Sequence, residues 1–94
     1  MTPDPLVSAV PVVDELVTPS GAVVLVRAGS RDRVLRLSPL ASAVRTFAGA
    51  GMPLSSLAAQ LTSAFGGPQT GDAIEATGAV VAELETLGLV TVEC

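Results

Sequence analysis

The apolar positions of this chain change period once, and they do so sharply at Ser38-Pro39. Leu35 and Leu37 alternate with Val34 and Arg36, the twofold spacing of a half-buried strand. Beyond Pro39, Leu40, Val44 and Phe47 recur at steps of four and three, the stripe of an amphipathic helix. Ser38 can accept a hydrogen bond from a first-turn amide, and Pro39 stands where its missing N–H costs nothing. The pattern predicts a strand over residues 33–37 running directly into a helix over 39–48.

Upstream of the junction the pattern is β. Residues 12–17 predict a first strand, ended by Thr18-Pro19-Ser20-Gly21, with proline and glycine where a type I turn takes them. The β-branched run over 22–27 predicts a second, with Val23, Leu25 and Arg27 on one face and Val24 and Val26 on the other. A glycine-containing loop over 28–32 returns the chain into the third strand, giving an antiparallel meander. That strand has a free edge, and its arginines are the kind of residue that guards or uses one. Residues 1–11 hold three prolines and little periodicity, and are expected to be an extended lead-in without chemistry.

Downstream the pattern is helical. Gly49-Ala50-Gly51 ends the first helix, and a second starts near Pro53 with Leu54, Leu57, Ala58, Leu61 and Phe65 on one side. Gly66-Gly67-Pro68 stops it. Asp72 and Glu75 have the spacing of a capping box for a third helix that ends before Gly88. On that helix Ala73, Thr77, Val80, Leu84 and Leu87 form the expected core stripe. Ile74, Gly78 and Val81 form a second, and Gly78 invites close approach of another backbone, from this fold or from a bound peptide. Residues 89–92 read as an apolar tail packed on the bundle. The expected fold is α+β, a three-stranded antiparallel sheet followed by a three-helix bundle in one domain over 12–94.

Composition narrows the chemistry. The chain is 49% hydrophobic but 2% aromatic, so Val, Leu and Ala must build the core. It has no His, Lys, Tyr or Trp, and its single cysteine is Cys94. An internal disulfide, an ordinary Cys/His metal site and an activated nucleophile are therefore not expected, nor any cofactor, and the chain is expected not to be an enzyme. The glycines lack the lysine of a phosphate loop. Met-Thr-Pro-Asp-Pro is unlike a secretory signal and no run approaches a membrane span, so a cytoplasmic protein without membrane contact is expected. Net charge is −4, yet all five cations are arginines between Arg27 and Arg45. This basic island is either a solvated face or a surface that steers an acidic partner.

The order of three strands, Leu-Ser-Pro into a helix, a glycine turn, Leu-Ser-Ser-Leu-Ala-Ala-Gln-Leu in a second helix and a third closing on Leu-Gly-Leu-Val resembles the PqqD-like family. Its members are the recognition elements for precursors of ribosomally made, modified peptides. The similarity spans about residues 12–92. It implies a small winged-helix domain that binds the leader segment of a precursor and presents it to a modifying enzyme or leader peptidase. In that family the leader adds a strand beside the third strand, in the cleft toward the third helix. By position, Arg33, Val34, Leu35, Arg36 and Leu37 would form the pairing edge, and Ile74, Gly78 and Val81 the opposite wall. The family's groove carries aromatic residues that this chain lacks there.

Two other classes compete with that implication. One is an inert interaction or dimerisation scaffold, the sequence leaving the oligomeric state open. The other is a winged-helix DNA-binding regulator, but the second and third helices contain no Lys or Arg to meet phosphates. Nucleic acid is therefore not an expected partner.

Overall fold

The computed structural model describes residues 4–67 and 71–93. The meander is present as β2 (Asp14–Thr18), β3 (Gly21–Ala28) and β4 (Arg31–Leu37), all antiparallel with β3 in the middle. Val23 lies between Leu16 and Arg36, and Leu25 between Asp14 and Val34. The β3–β4 connection is tighter than the predicted loop. Gly29 takes φ +66° at the first central position of a two-residue turn, where a II′ hairpin uses glycine. Gly21 has a different constraint: with φ +135°, a Cβ there would stand 2.0 Å from the Leu37 carbonyl oxygen. The sheet therefore closes on the strand-to-helix junction only because residue 21 has no side chain.

Three helices follow, α1 (Pro39–Ala48), α2 (Leu54–Phe65) and α3 (Ala73–Thr86). Ser38 caps α1 by accepting from the Ala41 amide at 3.1 Å. Asp72 caps α3 by accepting from Ile74 at 2.7 Å. At its other end Gly88 is left-handed, its N–H bonding to Glu85 and that of Leu89 to Leu84, the two bonds of a Schellman motif. The expected stop at Pro68 and the thiol of Cys94 lie outside the described residues.

The predicted order of one sheet and then a helical bundle needs correction, because the structure has a second antiparallel sheet. The supposed lead-in contains β1 (Leu6–Ala9), which pairs on one side with β5 (Met52–Pro53) and on the other with β6 (Val90–Glu93). Val7 is fully buried there. Pro5 and Pro11 flank β1 without interrupting it, and Pro53 sits on an edge strand, where a missing donor is tolerated. Asp4 reaches further, capping α2 from outside: its carboxylate accepts from the Ser55 amide at 3.0 Å and from the Ser55 hydroxyl. Pro53, at the N-cap position, has no side chain able to do this.

The core lies between the two sheets and the helices, with Val7, Val24, Val44, Leu57, Leu84, Leu89 and Val90 fully buried. Helix α3 is turned relative to the expected stripe. Thr77, Val81 and Leu84 are its buried residues, while Leu87 is 43% exposed. Thr77 and Leu84 come from the core stripe read from the sequence and Val81 from the second, and the three share one narrow arc at steps of four and three. Among the described residues no helix is long and apolar enough to cross a membrane.

Candidate functional site

Of the two sheets, the meander has the edge that matters. β4 bonds to β3 along one side, and its other side pairs with no strand among the described residues. The edge holds Arg33, Val34, Leu35, Arg36 and Leu37 in alternation. Leu37 is buried and Leu35 half-buried on the core side, whereas Val34 and Arg36 face solvent. Arg31, Arg33 and Arg36 make no ion pair among the described residues, so three free guanidinium groups follow the edge.

The predicted basic island is smaller than its sequence. Arg27 is held by Asp32 at 3.0 Å. Arg45 is not on the surface at all, being 6% exposed. Its Nη1 donates to Glu15 Oε2 at 2.9 Å, its Nη2 to the Val10 carbonyl at 2.6 Å and its Nε to the Leu89 carbonyl at 3.3 Å. Arg45 thus ties β2 to the segments that leave β1 and enter β6, and cannot attract a ligand. A planar five-donor group suits this task, since it bonds in several directions at once without losing its charge.

A cleft of about 280 Å³ opens where β4 runs into α1, lined by Arg36, Leu37, Ser38, Ala41, Glu83, Leu84 and Leu87. The strand end supplies a cation, α3 supplies an acid, and leucines form the floor. Another hollow of similar size, at Leu40, Leu61, Phe65 and Thr77, contains no charged group and no strand edge. The cleft below β4 therefore sets a strand edge beside a side-chain pocket, the two parts that strand addition uses.

The wall expected at Ile74, Gly78 and Val81 is not the wall of this cleft. Val81 is 5% exposed and belongs to the core. Gly78 faces α2, where an added Cβ would touch Leu54 at 3.9 Å, so its role is helix contact. Ile74 is exposed at the start of α3, away from the cleft's lining. The α3 residues that do line it are Glu83, Leu84 and Leu87. The sequence pattern puts both leucines on the core stripe; Leu84 is in the core at 2% exposed, and the signal for Leu87 is its place at the helix end, where the core runs out.

Elsewhere, the Ser55 hydroxyl and amide hold the Asp4 carboxyl below the usual carboxylate range. No three His, Cys, Asp or Glu side chains cluster to hold a metal among the described residues. What the edge and its cleft offer is recognition: a row of backbone groups, a short apolar floor and unpaired cations. No protein-family model, curated protein or solved structure matches this chain, so its function is read from this edge and cleft.

Proposed function

We propose that the chain binds the leader segment of a ribosomally made precursor peptide as an added strand on β4, and delivers it to a modifying enzyme or leader peptidase. The observation that carries this reading is the unpaired edge of β4 beside the cleft of Leu37, Leu84 and Leu87. Strand addition draws affinity from main-chain hydrogen bonds and specificity from side-chain pockets, and both lie side by side here. Arg31, Arg33 and Arg36 favour an acidic segment and speed its arrival. In this reading the fold is a PqqD-like winged helix. In it the protein performs no chemistry and acts by raising the peptide's concentration at its enzyme.

The test is amide hydrogen exchange with acidic leader peptides from precursors encoded near this gene, with duplex DNA at low salt as comparator. Slowed exchange confined to residues 31–37 and to the α3 side of the cleft on adding peptide supports the proposal. Protection elsewhere, or protection by DNA alone, rejects it.

A further inference from the structure

We propose that the outward face of the β2-β3-β4 sheet is a two-fold interface between two copies of this chain. Strand registers place Leu16, Val23 and Arg36 in one row across that face, and Asp14, Leu25 and Val34 in the next. All six point away from the side on which Ala22, Val24 and Leu37 are buried. An antiparallel sheet with one wet face normally alternates apolar inward and polar outward. Here Leu16 and Val34 are each 65% exposed and Val23 36%.

The charges on this face select the occupant. Leu16, Val23, Leu25 and Val34 run as a diagonal band, and the two remaining corners hold Asp14 on β2 and Arg36 on β4. Neither makes an ion pair among the described residues, while Arg27 and Asp32 neutralise each other at one margin. A half-turn about the line joining Leu16 to Val34 lays each of those two on its counterpart. The same rotation brings Val23 near Leu25 of the second copy and Asp14 within side-chain reach of its Arg36. From ordinary strand spacing and rise the strands then cross at about 70°, close to the orthogonal class of sheet packing. The face is self-complementary in charge as well as apolar, as an isologous contact requires. A lipid surface or an acidic partner would have no use for Asp14.

The face is small, since three strands span only about 10 Å between outer axes, well short of the roughly 800 Å² per partner in a standard interface. The expected dimer is accordingly weak and concentration-dependent. The outward face shares Arg36 with the cleft beside β4, but contact between two copies needs no peptide, so this inference does not rest on peptide binding.

Sedimentation of the full chain from micromolar to sub-millimolar concentration is the test, with no peptide present. The expected result is a reversible monomer–dimer equilibrium. Asp14→Arg and Arg36→Asp should each weaken it by about tenfold or more, and the double exchange should recover most of that loss. Leu16→Asp should leave only monomer. All three positions are exposed, and thermal unfolding measured alongside shows that the variants fold. A wild-type monomer throughout, including one that instead binds vesicles through this face, overturns the inference. So does a dimer indifferent to Leu16→Asp, or a double exchange no better than either single one.

Discussion

Arg45→Met should cost about 3 kcal/mol of stability, and each part of that figure comes from a contact. Methionine keeps most of the apolar stem, so little packing is lost. The Val10 carbonyl loses a charge-assisted bond of 2.6 Å, a loss of about 1.5–3 kcal/mol. The Leu89 carbonyl loses less, because the Val10 N–H still donates to it at 3.0 Å. The Glu15 side chain is 28% exposed and can turn to water, which limits its share to about 1 kcal/mol or less. The sum falls at the lower end of the roughly 3–5 kcal/mol measured when one partner of a buried pair is removed. A domain of this size has about 5–14 kcal/mol in total, so the variant should still fold, with a clearly lower urea midpoint. A double-mutant cycle with Glu15→Gln should give a coupling of about 1 kcal/mol or less. If Arg45→Met loses under about 1 kcal/mol, or if the coupling to Glu15 accounts for the whole loss, the two carbonyl contacts are not what holds the segments together.

Gly21→Ala combines a left-side φ with a backbone clash at Leu37, and should lower stability by about 3 kcal/mol or more, read as a drop in thermal midpoint. Asp4 has a folded pKa below its ordinary 3.8. Its contribution is therefore present above pH 3.8 and lost as pH falls through the lower folded value, so Asp4→Asn should flatten the acid limb of a stability–pH curve. Leu87→Asp, at a 43% exposed cleft residue that ends α3, sets a carboxylate against the helix dipole and should cost about 1 kcal/mol or less of stability while weakening leader binding in a titration. Arg33→Glu with Arg36→Glu should slow peptide association and reduce its salt dependence, measured by stopped-flow kinetics.

The parts of the fold legible in the sequence are those specified by local chemistry. Pro19 and Gly29 mark the turns of the meander, Ser38-Pro39 marks the start of α1, and Gly88 marks the end of α3; each acts locally, Ser38 through its hydroxyl and the others through their backbone. The second sheet was hidden because its strands are two to four residues long and pair with distant segments, so no window contains the signal. Arg45 looks like a surface residue in the sequence because an arginine among other arginines carries no mark of burial, and only the carbonyls arriving from Val10 and Leu89 make it interior. The free edge of β4 was legible through its alternation and its place last in the meander. Its facing wall was not, since the rotation of α3 is set by contacts with α1 and α2, and a small turn exchanges Val81 for Leu87.

The position of β1 also sets a timetable. Its partner β6 pairs Leu6 with Glu93 and Ala9 with Val90, so β1 must wait for a strand that is made much later. Closing a loop of roughly 80 residues costs about 2 kcal/mol more than closing one of ten. The local meander and helices should therefore form before this sheet does, leaving Val7 without its pocket through most of synthesis. On the ribosome the nascent chain would expose that strand until residues 90–93 emerge, and folding from denaturant should be slower than three short helices alone would suggest.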